Sequence, residues 1–82
     1  MADRVIASIQ LDMGRIERER GDLEQARASL NRCIGLAERL EKPQAILRRA
    51  YRELGIACAV EGRHEDALDA FESALEEGYA PG

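Results

Sequence analysis

The sequence predicts an all-α fold of two antiparallel helical hairpins, four helices in all. Three observations predict it. One pattern of small and apolar residues occurs twice, 41 residues apart. Apolar residues recur at three- and four-residue spacing, the period of a helix with one buried face. No stretch alternates apolar and polar residues as a half-buried strand does.

The repeat comes first because the rest follows from it. With Gly14 set on Gly55, Met13 meets Leu54, Gly21 meets Gly62, and Ala26 meets Ala67. At the same offset Leu30 meets Phe71, Cys33 meets Ala74, and Ile34 meets Leu75. Each copy has a physical logic. Gly14 and Gly55 fall mid-helix, where glycine costs about 1 kcal/mol relative to alanine. That cost implies a packing reason, here the close approach of the second helix of the hairpin. Gly21 and Gly62 fall just past a helix, where a left-handed residue ends it. Ala26 and Ala67 are small because the hairpin is tight there, and Leu30 and Phe71 fill the space beside them.

The elements follow in order. Helix one is expected over about Asp3 to Glu19 and helix two over about Leu23 to Leu40. Asp22 is the candidate N-cap of helix two, with Gln25 three residues on. Helix three is expected over about Pro43 to Val60, with Pro43 in its first turn, where a missing N–H does no harm. Its buried stripe is Ile46, Leu47, Ala50, Tyr51, Leu54, Ala57 and Cys58. Helix four is expected over about Glu65 to Glu77, with Ala67, Leu68, Phe71, Ala74 and Leu75 on its apolar side. Gly78 ends it, and Pro81 stands beyond as a stop signal. The chain reads as one domain, with repeat one over about residues 3–41, repeat two over about 43–78 and a tail at 79–82.

Composition narrows the function classes. Of 82 residues, 45% are apolar and 34% charged, which suits a globular chain rather than a disordered one. The aromatics are only Tyr51, Phe71 and Tyr79, so the core is built from Leu, Ile and Ala. Net charge is −4, which argues against nucleic acid as the main partner. No apolar run approaches the roughly 20 residues of a membrane span. The start, Met1-Ala2-Asp3-Arg4-Val5, lacks the basic and apolar segments of a signal peptide. Cys33 and Cys58 therefore read as reduced thiols, and the expected location is cytoplasmic.

A catalytic reading finds no material. His64 is the only histidine and reads as structural or exposed. One His and two distant Cys assemble no zinc ligand set. Cys33 and Cys58 read as core packing rather than as a redox pair. There is no Gly-rich phosphate loop and no nucleophile elbow. No cofactor and no metal is expected.

Leu54-Gly55, Gly62, Ala67, Phe71, Ala74 and Pro81 resemble the tetratricopeptide repeat. Met13-Gly14, Gly21, Ala26 and Leu30 resemble it more weakly. The family period is about 34 residues. The longer period here is expected to lengthen helices two and three around Glu38 to Ile46. Two aromatic positions of the family also depart in the first copy. The early one is Tyr51 in the second copy but Gln10 in the first. The one a turn after the glycine is Glu17 in the first and Cys58 in the second. The resemblance implies a right-handed α–α superhelix whose first helices line a concave face. It implies a scaffold or adaptor that binds a peptide or protein there, with no active site.

On that face the expected partner-binding residues are Leu11, Arg15 and Arg18 of helix one and Arg49, Arg52 and Ile56 of helix three. Ser8, Arg48 and Val60 lie near them. Such a mixed basic and apolar surface suits an acidic peptide or a C-terminal carboxylate. The alternative is that these arginines pair with Glu53, Glu17 or Glu19 and keep the helices solvated. The Lys and Asn of the family's carboxylate clamp are not found, which argues against a receptor for chaperone tails.

A second function class is self-assembly, or service as a segment of a larger repeat protein. Arginines cluster in helix three and carboxylates in helix four, a segregation that favours association between copies. Repeat arrays end in polar caps, and this chain shows none. Val5, Ile6, Ile9 and Met13 at one end, and Leu68, Phe71 and Leu75 at the other, are expected to be incompletely covered. A homo-oligomer through these uncapped terminal helices would hide them.

Overall fold

The computed structural model describes residues 2–78. They form four helices: α1 (Ala2–Glu19), α2 (Leu23–Ala37), α3 (Gln44–Val60) and α4 (His64–Gly78). Helix α1 packs on α2 and α3 packs on α4; the hairpins meet through α2 and α3, with a lesser seam between α1 and α3. The predicted all-α pair of hairpins is what forms. Pro81 lies outside the described residues.

Both mid-helix glycines are close-approach sites. A Cβ on Gly14 would lie 2.6 Å from Leu30 Cδ2, and one on Gly55 would lie 2.6 Å from Phe71 Cε1. Real Cβ atoms do not come so near, so each glycine admits a large side chain of the facing helix. The two turns are also alike. Gly21 has φ 84° and Gly62 has φ 82°, the left-handed region where a Cβ is disfavoured. Asp22 N–H donates to Glu17 C=O at 2.8 Å and Gly21 N–H to Arg18 C=O at 3.0 Å. In the second copy Arg63 N–H donates to Cys58 C=O at 2.8 Å and Gly62 N–H to Ala59 C=O at 3.1 Å. This pair of crossed bonds is the Schellman ending of a helix.

Three local expectations are corrected. Asp22 does occupy the N-cap position, but its side chain makes no capping bond. Its N–H is held by Glu17 in the Schellman turn, which fixes its backbone at φ −83°, ψ 68°. Only its carbonyl serves the helix, accepting from Ala26 N–H at 2.9 Å. Second, α2 stops at Ala37 rather than Leu40. Arg39 and Leu40 N–H bond three residues back, to Leu36 and Ala37 C=O, so the chain tightens and leaves the helix. Leu40 then packs against the core from outside the helix. Residue 42 is also disfavoured in a helix because Pro43 follows it. Third, the extra length of the period therefore sits in the 38–43 connector and not in longer helices. Pro43 precedes α3 by one residue, and its carbonyl accepts from Leu47 N–H at 2.9 Å.

The core lies in the first hairpin and at its junction with α3. Ala7, Leu11, Leu30, Cys33, Ile34, Ala37, Ile46, Leu47 and Ala50 form one buried cluster. Two ion pairs tie the hairpins together at its margin. Arg18 Nε donates to Glu53 Oε1 at 2.8 Å, and Arg27 Nε donates to Glu61 Oε1 at 2.5 Å. Among the described residues no helix is long and apolar enough to cross a membrane.

Candidate interaction surface

The first helices of the two hairpins, α1 and α3, meet at the Arg18–Glu53 pair, and α1 is also tied to the 38–43 connector. Arg18 reaches Glu53, which is only 8% exposed. Arg4 Nη2 donates to Lys42 C=O at 3.0 Å at the other end. The candidate residues differ in exposure. Arg15, Arg49 and Arg52 are exposed and Ile56 is half-buried. Ser8, Arg48 and Val60 are exposed as well. Arg15, Arg48, Arg49 and Arg52 form no ion pair among the described residues. Spacings of three and four put Arg49, Arg52 and Ile56 on one side of α3.

Two candidates are placed otherwise. Leu11 is 4% exposed and belongs to the core, so it presents no surface to a partner. Its side chain points toward α2 and α3, where the sequence pattern alone left it at the groove edge. Arg18 is spent on Glu53, as the alternative of internal pairing expected for it. Glu17 does not pair with an arginine: it accepts from Ser29 Oγ at 2.6 Å.

That contact belongs to a polar group that sequence reasoning missed. Ser29 is fully buried. Its oxygen accepts from Arg32 Nη2 at 3.2 Å, and Arg32 Nε donates to Gln10 Oε1 at 3.1 Å. Gln10 and Glu17 are the two positions where the first copy lacks the family's aromatics. Both are answered by polar partners on α2. The available signal was the offset itself, which sets Ser29 on Ala70 as it sets Glu17 on Cys58: a polar gain on α2 opposite a polar gain on α1.

His64 opens α4 and is exposed. Among the described residues no three His, Cys, Asp or Glu side chains gather to hold a metal. Cys33 and Cys58 are buried and free. Burial pushes the Cys33 thiol up to about 11, against a small opposing pull from Arg49. Burial, with Asp66 adding to it, also raises Cys58. Both thiols are protonated at neutral pH, and a thiol without its thiolate is a poor nucleophile.

Comparison with known proteins agrees with this architecture. A family model described as the tetratricopeptide repeat matches residues 5–76. Neither the curated proteins nor the solved structures returned a match. The matched span takes in both hairpins, both close-approach glycines and both Schellman turns, and the chain belongs to the tetratricopeptide-repeat family.

Proposed function

We propose that this chain is an adaptor that holds an acidic peptide segment, or a C-terminal carboxylate, along the exposed face of α1 and α3. Family membership supports the general role, since tetratricopeptide repeats mediate protein–protein interaction and are generally not enzymes. The observation that carries the finer reading is the set Arg15, Arg49 and Arg52, exposed and outside every described ion pair, with Ile56 beside them. Guanidinium groups bind carboxylates through paired hydrogen bonds, and Ile56, one turn beyond Arg52, offers an apolar contact. A peptide suits the surface better than nucleic acid, because the whole chain carries −4 and its basic residues are spread from Arg4 to Arg63 rather than gathered in one stripe. Two free buried thiols fit a reducing compartment such as the cytosol.

The test is fluorescence anisotropy with a labelled peptide of Asp, Glu and Leu ending in a free carboxylate. Arg49→Glu with Arg52→Glu should weaken binding by at least about tenfold, with affinity falling as salt rises. Equal affinity of wild type and double variant would refute the groove assignment.

A further inference from the structure

The two ends of the molecule are the two halves of its own internal interface. Within the chain, α3 meets α2 through Ile46, Leu47 and Ala50, which share a buried cluster with Leu30 and Ile34, and Leu54 packs against them. Forty-one residues earlier, the equivalents on α1 are Val5, Ile6, Ile9 and Met13. All four are apolar, and they are 60%, 41%, 49% and 40% exposed. Ile16 extends the stripe. Forty-one residues after Leu30 and Ile34, the equivalents on α4 are Phe71 and Leu75. Phe71 is half-buried and Leu75 is 57% exposed, with Leu68 beside it. So α1 offers the surface that α3 turns to α2, and α4 offers the surface that α2 turns to α3.

We infer that α4 of one copy docks on α1 of a second copy, head to tail, in the geometry by which α2 meets α3 inside the chain. The occupant is specified by the chain's own contact: the face on α1 has the chemistry of a surface already seen buried, and the matching half is carried at the other end. The same register sets the strength. The internal interface has the Arg18–Glu53 and Arg27–Glu61 ion pairs. Between copies these become Ala59 opposite Asp12 and Leu68 opposite Arg20, which do not pair. Ala7 and Leu11, buried in the first hairpin, become Arg48 and Arg52 at the joining end. The junction between copies therefore keeps the apolar stripe and loses the polar ties. It is weaker than the internal one and fills only as concentration rises. Because the contact is heterologous, each docking leaves one free end of each kind, so growth continues past a dimer.

Sedimentation velocity on the 82-residue chain over a concentration series tests this. The average mass should rise past that of two copies. Ile9→Lys and Leu75→Lys each place a charge on one half of the junction, and each should weaken self-association by at least about tenfold. Both positions are exposed, so circular dichroism should show the helices intact. Mixing the two variants is decisive. Ile9→Lys retains its α4 face and Leu75→Lys retains its α1 face, so the mixture should form one-to-one dimers and nothing larger. A chain that stays monomeric throughout overturns the inference. So does Leu75→Lys associating as the wild type does while Ile9→Lys does not, because that result assigns the contact to paired α1 faces. Arg52 stands both at the joining end and in the peptide site, so peptide affinity is measured at a concentration where sedimentation shows a monomer, which keeps the two tests apart.

Discussion

In the first hairpin, Gln10 and Glu17 of α1 are held by Arg32 and Ser29 of α2. In the second, the equivalent positions are Tyr51, Cys58, Ser73 and Ala70, and all four line a crevice of about 280 Å³. One hairpin fills this place with hydrogen bonds and the other leaves an open crevice, which Arg27 and Asn31 of α2 and Asp66 and Asp69 of α4 also line. Yet the backbone device is common to both, with a glycine under a large side chain and a left-handed glycine at the turn. The difference teaches which positions specify the hairpin. Gly14, Gly21, Leu30 and their counterparts set how the helices approach. The remaining contact positions exchange apolar for polar chemistry, provided that buried polar atoms find partners. They do here: no buried side-chain nitrogen or oxygen lacks one among the described residues. The hairpins differ also in cover. The first is closed on its outer side by α3, whereas α4 is bare.

Truncating the two filling side chains gives the largest effect and tests cover directly. Leu30 is fully buried, and Leu30→Ala should cost about 3–5 kcal/mol of unfolding free energy. Phe71 is the larger residue but is half-buried at the end of the stack. Phe71→Ala should cost about 2–3 kcal/mol, less than the full burial of Leu30 implies because part of its ring is already in water. Urea unfolding followed by far-UV circular dichroism measures both. A Phe71 cost equal to or above that of Leu30 would mean that the second hairpin is covered in solution, and the self-association series would show by what.

Alkaline pH separates the two cysteines. The Cys33 pKa is raised in the folded chain from its ordinary 9.0 to about 11. A raised folded pKa stabilises the fold below the unfolded value and loses that contribution as pH climbs to the folded one. Stability should therefore fall between about pH 9 and 11, by on the order of 2 kcal/mol from Cys33. Cys58 and Tyr51, also raised by burial, act in the same direction. Cys33→Ala should flatten the fall more than Cys58→Ala does. If the two variants flatten it equally, the greater burial of the first hairpin is not what sets the slope.

The glycines come next. Gly14→Ala drives a Cβ into Leu30, which is enclosed, and it also comes within 3.4 Å of Ala26 C=O. Overpacking should outweigh the helix-propensity gain by about 1–2 kcal/mol. For Gly55→Ala the three nearest atoms all belong to the ring of Phe71, which is partly exposed and freer to turn than Leu30. Its net effect should be under about 1 kcal/mol. A double-mutant cycle sharpens this: Gly14→Ala should cost less in a Leu30→Ala background, because the clash is gone.

These glycines are also where the sequence was most legible. A residue that weakens a helix and recurs at a fixed offset has few explanations, and both copies use the same one. The left-handed glycines and the uncovered ends were legible for the same reason, since each follows from backbone geometry or from counting faces. Asp22 was not, because whether a side chain caps depends on a backbone angle, and the Schellman bond to Glu17 had already set it. Leu40 was not, because an apolar residue at the right spacing packs equally well from a turn. Leu11 was misplaced at the groove because a small rotation of α1 decides between core and edge, and that rotation depends on how α3 seats against α1. Ser29 and Arg32 were invisible for a further reason. Polar residues on a helix read as solvent-facing unless the partner that buries them is already known.

The polar set of the first hairpin gives a small effect and the closest test of interchangeability. Ser29→Ala removes the donor to Glu17 and should cost about 1 kcal/mol, below the usual value for a hydrogen bond to a charged group because Glu17 is half-buried and water still reaches it. Glu17→Cys with Ser29→Ala installs the second hairpin's pair in the first. Both partners then become apolar together, so no group is stranded, and the double variant should be at least as stable as Ser29→Ala alone. Arg32 would keep only Gln10, an exposed contact of small worth. If the double variant is instead less stable than the sum of its parts, the filling of this place is specific to each hairpin, and the shared backbone does not by itself license the exchange.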